Sequence, residues 1–168
     1  LYPVLMRRQA DINRTADGIW RFVIGMSKKV LLADRLFSLC EQASSFSAPG
    51  AAAVWLQTGS FCAAFWMAFS GYCDMAVGLG KMFGFKFLEN FNYPFISKSI
   101  TEFWRRWHMT MGGWFRDYVY VPLGGNRCSK GRWLLNIFIV WATTGLWHGA
   151  AWSFVLWGLF FGILLIVE

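Results

Sequence analysis

Charge is what this sequence has least of. Only 15% of its 168 residues are Asp, Glu, Lys or Arg, where a soluble globular domain carries about 25%. The scarcity is uneven. No Lys or Arg occurs from Leu36 to Gly80 or from Trp133 to Glu168, and the acids inside those gaps are Glu41, Asp74 and Glu168. A transmembrane helix needs roughly 20 mostly apolar residues, so either gap can hold one. Histidine is limited to His108 and His148. The four cysteines, Cys40, Cys62, Cys73 and Cys128, form no CxxC pair and have no histidine at ligand spacing, so neither a metal site nor a disulfide framework is expected. Small buried apolar residues are the simpler reading of them. There is no internal repeat, low-complexity tract or linker, and residues 1–168 read as a single membrane domain.

What is present is apolar and aromatic, at 57% and 20% of the chain. All the basic residues lie in two blocks, Arg7 to Arg35 and Lys81 to Arg132, and give the net charge of +7. Basic blocks beside membrane spans favour anionic head groups and the cytoplasmic side. Because these cations alternate with Trp and Phe next to the spans, a bilayer is the expected partner and nucleic acid is not. The sequence opens at Leu1 and stops at Glu168 straight after an apolar run, so a piece of a longer protein is expected, lacking earlier and later membrane helices.

Asp17 to Gln42 is expected to be a helix, lying at the interface or crossing with its cations snorkelling outwards. Phe46 to Gly50 is a break. Ala51 to about Val77 is the cleanest span, with Gly59, Ala63, Ala64, Gly71 and Gly78 available for close helix approach. Lys81 to Ile100 should be irregular, since the residue before Pro94 is pushed out of the helical region. Ser99-Ile100-Thr101-Glu102 matches a capping box, predicting a helix from about Ile100 to about Tyr118. Val121 to Asn126 should turn the chain. Trp133 to Val167 is too long for one perpendicular span, because its 35 residues at about 1.5 Å each exceed 50 Å. Gly145 to Gly149 is the natural dividing point.

Each histidine stands where a titratable group is costly. On a wheel with Trp104 at the origin and about 100° per residue, His108 falls at about 40°, on the face of Trp107, Met111, Trp114, Phe115 and Tyr118. Arg105, Arg106, Arg116 and Glu102 fall on the other side. A histidine there needs an internal hydrogen-bond partner. His148 lies between Gly145 and Gly149 inside the longest apolar region, where ionisable groups usually face a cavity or a partner. A satisfied core histidine is the structural alternative for each, and in a chain with so few buried charges the two remain the best candidates for function.

Several motifs follow one another in series. They are Gly71-Tyr72-Cys73-Asp74-Met75-Ala76-Val77-Gly78-Leu79-Gly80, Glu89-Asn90-Phe91-Asn92-Tyr93-Pro94-Phe95 and Ser99 through His108. Trp114-Phe115-Arg116-Asp117-Tyr118, Pro122-Leu123-Gly124-Gly125-Asn126-Arg127 and Gly145-Leu146-Trp147-His148-Gly149-Ala150 come after them. In this order they resemble the membrane-bound O-acyltransferase family, in the branch holding the alginate O-acetyltransferase membrane subunit and the teichoic-acid D-alanyl transfer protein. Tyr2-Pro3-Val4-Leu5 and Gly25-Met26-Ser27-Lys28-Lys29 fit the alginate branch. Gly112-Gly113 departs from it, standing where small polar residues are expected.

The resemblance implies an all-α, polytopic bundle with a tunnel, in which an acyl group from a cytoplasmic thioester meets an acceptor from the outer face. The family's active-site histidine falls on His148 and its second histidine on His108. It further implies acetyl-CoA or another acyl thioester as donor, with no bound cofactor, in a multi-pass inner or plasma membrane protein. Extracytoplasmic acetyltransferase proteins would be its partners and a polysaccharide such as alginate the final acceptor. A neutral His148 would take the acceptor's proton and return it to the leaving thiolate. His108 would orient the acceptor, bond to His148 or donate to the oxyanion. Arg105 and Arg106 are candidates for donor phosphates or lipid head groups, a solvated basic strip being as good an account. Trp107 beside them, and Asn92, Asp117 and Asn126, are candidates for the substrate site, although turn and capping roles explain the last three equally well. The alternatives are D-alanyl or other acyl transfer to teichoic acid, lipid or protein, and a non-catalytic transporter. Transporters often show repeated halves, which this chain lacks.

Overall fold

A computed structural model describes residues 11–46 and 50–168. Within them the chain is all-helical, without strands. Tyr2 to Leu5, and the central residues of the expected break at Phe46–Gly50, lie outside the described residues. The chain divides into two compact units, Leu1–Glu89 and Asn90–Glu168.

In the first unit, α1 (Ile12–Ser27) starts where the Asp11 side chain accepts the Arg14 amide at 2.8 Å. It runs through a π-turn at Lys28–Ala33 directly into α2 (Asp34–Ser44). The next helix, α3, is Ala51–Met82, 32 residues long and apolar enough to cross a membrane. At about 1.5 Å per residue it measures some 48 Å, longer than the roughly 30 Å hydrocarbon layer. The helix therefore ends five residues beyond the expected Val77.

Glycines set how α1 and α3 meet. A Cβ on Gly18 would lie 2.7 Å from the Gly78 carbonyl oxygen, and one on Gly71 would lie 2.6 Å from that of Gly25. Pairing Gly18 with Gly78 and Gly25 with Gly71 makes the helices antiparallel, with backbones in contact. Gly59 does not take part, since nothing lies within 4 Å of where its Cβ would be.

The same seam holds charge. Asp74, only 7% exposed, accepts Arg21 Nε at 2.7 Å on one carboxylate oxygen and Lys28 Nζ at 2.6 Å on the other. Arg21 also reaches Glu89 Oε2 at 2.7 Å. Arg21 and Lys28 thus turn inward to a carboxylate. The snorkelling expected for the cations of this segment does not describe Lys28, because an acid inside an apolar helix draws it in.

What is buried in this unit is small, including Ala33, Ala43, Ala64 and Val77, while Trp20, Trp55, Phe61 and Phe65 face outward. A soluble domain buries its large apolar side chains. Here small residues let helices touch and large ones face the surroundings, as lipid requires.

The second unit opens on an irregular stretch with one 3₁₀ turn, Pro94–Ile96, as the position of Pro94 predicts. The helix α4 (Ile100–Arg106) begins at Ser99, whose hydroxyl accepts the Glu102 amide at 3.0 Å. Glu102 in turn accepts the Lys98 amide at 3.0 Å and pairs with Arg106 at 2.8 Å. The helix does not run on to Tyr118 as expected. It stops at Arg106 and resumes as α5 (Met109–Phe115), with His108 left-handed at φ 44°, ψ 52° between them. The common aromatic face drawn for Trp104 through Tyr118 is therefore broken. Gly112-Gly113 is absorbed inside α5, and a π-turn at Arg116–Tyr120 follows.

A turn from Val121 leads to α6 (Lys130–His148). The buried Asn136 amide of α6 donates to the Gly125 carbonyl at 3.1 Å, holding the turn in place. After His148 the chain breaks and α7 (Trp152–Val167) returns along α6. Gly145 and Gly158 meet the backbone of the opposite helix, and Trp141 covers Gly162. The division falls at the end of the predicted Gly145–Gly149 stretch.

Candidate functional site

Both histidines belong to the second unit, and both sit where a helix is interrupted. His148 is the last residue of α6. Its Nδ1 lies 2.7 Å from the Thr144 carbonyl oxygen, one turn back. A carbonyl only accepts, so Nδ1 carries the proton and Nε2 of the neutral ring holds the lone pair. Among the described residues nothing hydrogen-bonds that Nε2. The ring stands edge-on to Trp157 at 4.9 Å and to Trp147 at 5.1 Å between centroids. His148 is exposed in this chain.

His108 occupies the kink between α4 and α5 and is half-buried. Its Nδ1 is 2.9 Å from Asn90 Oδ1. The Thr110 amide, which can only donate, approaches the same oxygen at 3.3 Å, so that atom is the acceptor. His108 therefore also carries its proton on Nδ1. Its ring lies 6.4 Å from Trp147, the sequence neighbour of His148. The tertiary structure thus gathers both predicted histidines around Trp147, each with Nδ1 held by an oxygen of its own.

Of the other predicted positions, some adjoin this pair. Arg106, two residues before His108, binds Glu102 and donates from Nη1 to the Asn92 carbonyl at 3.2 Å. The Asn92 amide returns the bond to the Arg106 carbonyl at 3.0 Å. Trp107 stacks on Phe103 at 5.5 Å and meets Phe91 edge-on at 5.1 Å. Arg105 is exposed and has no ion-pair partner among the described residues. Asp117 pairs with Arg116 at 2.8 Å, and Asn126 is exposed in the turn before α6. Among the described residues the hydrogen-bond partners of the two histidine Nδ1 atoms are Asn90 and the Thr144 carbonyl, and neither Asp117 nor Asn126 is one of them.

The sequence reading missed Asn90, Thr144 and Trp157 as supports of the histidines, and Asp74 as an ion centre. Asn90 lies in the Glu89–Phe95 motif, and Asp74 is a lone acid in an apolar span, which is itself a signal. Nothing local marked Thr144, because its contribution is a backbone carbonyl.

Residues 6–168 match the model of the MBOAT, membrane-bound O-acyltransferase family. The chain is 45% identical over 161 residues to a probable alginate O-acetylase AlgI of Azotobacter vinelandii, covering 96% of this chain and 32% of that protein. It is 41% identical over 162 residues to a peptidoglycan O-acetyltransferase of Helicobacter pylori, covering 94% and 30%. Against a teichoic acid D-alanyltransferase of Bacillus subtilis the identity is 40% over 105 residues, covering 58% and 26%. The chain spans about a third of the length of the curated relatives it matches.

Proposed function

Because the chain belongs to the membrane-bound O-acyltransferase family, we propose that it forms part of an enzyme acetylating an extracellular polysaccharide such as alginate. The donor in this reading is a cytoplasmic thioester, acetyl-CoA or a related acyl carrier. The observation that carries the proposal is the pair of histidines around Trp147, each with its proton on Nδ1.

His148 is the general base. Its Nε2 lone pair takes the proton of the attacking hydroxyl, the hydroxyl oxygen bonds to the acyl carbon, and the proton passes to the departing thiolate as the carbon–sulfur bond breaks. His108 orients the acceptor or stabilises the oxyanion. Arg105, exposed beside the kink, is the better placed arginine for donor phosphates, since Arg106 is already bound by Glu102 and Asn92. Trp107 and Asn92 adjoin the acceptor path, and Asp117 and Asn126 are further candidates for contacting substrate. The protein resides in the cell membrane and crosses it more than once, with α6 at 19 residues also long enough for the hydrocarbon layer. Extracytoplasmic acetyltransferase proteins complete the transfer.

A second reading, D-alanyl transfer to teichoic acid, is supported by the Bacillus subtilis relative, which covers only 58% of the chain. The acetyl reading is favoured by relatives covering 94–96%.

The test supplies labelled acetyl-CoA to membranes carrying the full-length protein, wild type or His148→Ala. Label should reach polysaccharide with the wild type and fall by about 10²-fold or more in the variant. Retention of more than about a tenth of the activity would remove the general-base role. Label from activated D-alanine alone would select the second reading.

A further inference from the structure

We propose that Asn90 is a positioning residue for His108, a role that rests on reading the two histidines as the acyl-transfer site. Four hydrogen bonds converge on this one side chain and its carbonyl. Asn90 Oδ1 accepts from His108 Nδ1 at 2.9 Å, from the Thr110 hydroxyl at 2.9 Å and from the Thr110 amide at 3.3 Å. The Asn90 carbonyl accepts the Met109 amide at 2.9 Å. Three consecutive residues, 108 to 110, are thus held by a residue 18 positions before the histidine.

The grip has a physical purpose. His108 adopts a left-handed conformation, with φ 44°. That geometry is strained for a residue with a Cβ and persists only where its surroundings impose it. Without the kink, α4 would continue as a helix, and the 108 side chain would follow the helical path with Trp104 and Met111. With the kink, the imidazole leaves that path and reaches Trp147, the neighbour it shares with His148. The freed backbone groups are satisfied by the same loop, since the Asn92 amide takes the Arg106 carbonyl and Asn90 takes the Met109 amide. Asn90 also selects the tautomer, because its oxygen accepts and leaves Nε2 as the unprotonated nitrogen of the neutral ring. This matches what the Thr144 carbonyl does for His148. Asn90 therefore controls both where His108 points and which nitrogen it offers.

The test uses the full-length protein in membranes, with labelled acetyl-CoA as donor. Asn90→Leu removes the acceptor at similar volume, and Asn90→Asp keeps it. The leucine variant should lose about 10²-fold in kcat with KM nearly unchanged, since misplacing a group near the chemistry by about 1 Å has that effect. The aspartate variant should recover most of that loss. In a His108→Ala background, Asn90→Leu should change residual activity by less than about twofold, because both substitutions remove one unit. Three outcomes would overturn the positioning role: full activity in Asn90→Leu, equal loss in both variants, or a loss that persists undiminished in the His108→Ala background. An active His108→Ala single variant would instead sink the reading of the histidine pair itself.

Discussion

Removing the Asp74 charge tests the packing of the first unit most directly. The carboxylate receives Arg21 and Lys28 on separate oxygens, at 2.7 and 2.6 Å, and its side chain is 11% exposed against 32% and 34% for the two cations. Asp74→Asn keeps the shape and one acceptor but leaves two cations facing a neutral seam lined by glycine. Losing one partner of a fully buried ion pair costs about 3–5 kcal/mol. Because both cations here are one-third exposed, water offsets part of that, and a loss of about 2–4 kcal/mol is expected. The assay is equilibrium unfolding of the full-length protein in detergent, with Asp34→Asn as the internal control. Asp34 pairs with Lys29 across an exposed contact in which both side chains are nearly half exposed, and that variant should lose less than about 1 kcal/mol. Added salt should weaken the Asp34 contribution far more than that of Asp74. Equal, small losses in both variants would refute the claim that Asp74 organises the α1–α3 seam.

The glycine seam makes a contrasting forecast. Gly25→Ala should destabilise the protein, because its Cβ would stand 2.5 Å from the Gly71 carbonyl oxygen, whereas Gly59→Ala should be neutral or stabilising by up to about 1 kcal/mol. Thermal unfolding of the two variants side by side decides it. At the start of α4, Ser99→Ala should lower stability by about 1 kcal/mol through loss of the cap. The Lys98 amide and the Arg106 guanidinium hold the Glu102 carboxyl below its ordinary value of 4.5. Its contribution is thus fully present above that value and is lost as pH falls through the lowered one. Protection of the α4 amides, corrected for the intrinsic pH dependence of exchange, should accordingly fall in acid, and Glu102→Gln should remove that fall. The losses expected for His148→Ala and Asn90→Leu, read in the acetyl-transfer assay, complete the set.

Much of the fold could be read from local chemistry. Ser99 followed by Glu102 marked the start of α4 because a cap and its reciprocal acid lie within one turn. Pro94 marked the irregular stretch because its ring restricts the residue before it. The long uncharged runs marked the membrane because no solvated charge is needed there. The Gly145–Gly149 stretch marked the end of α6, since 35 apolar residues cannot cross once. The helix expected through Tyr118 failed for an equally physical reason. No proline interrupts Trp104 to Tyr118, and the hydrogen bonds that hold the kink come from Asn90, outside that window.

The sequence by itself determined that the chain is helical and built for lipid, where several helices begin and end, and, through its serial motifs, the two histidines on which the chemistry was sought. Tertiary structure alone decided that Arg21 and Lys28 turn inward to Asp74, that His108 leaves its helix, and that its imidazole reaches Trp147 beside His148 with its proton on Nδ1. The division follows from range. Caps, prolines and apolar runs act within a turn or along one continuous segment, and so are written in consecutive residues. The ion pairs of Arg21 and Lys28, the Gly18–Gly78 contact and the aim of His108 depend on residues 18 to 68 positions apart, which only the folded chain brings together.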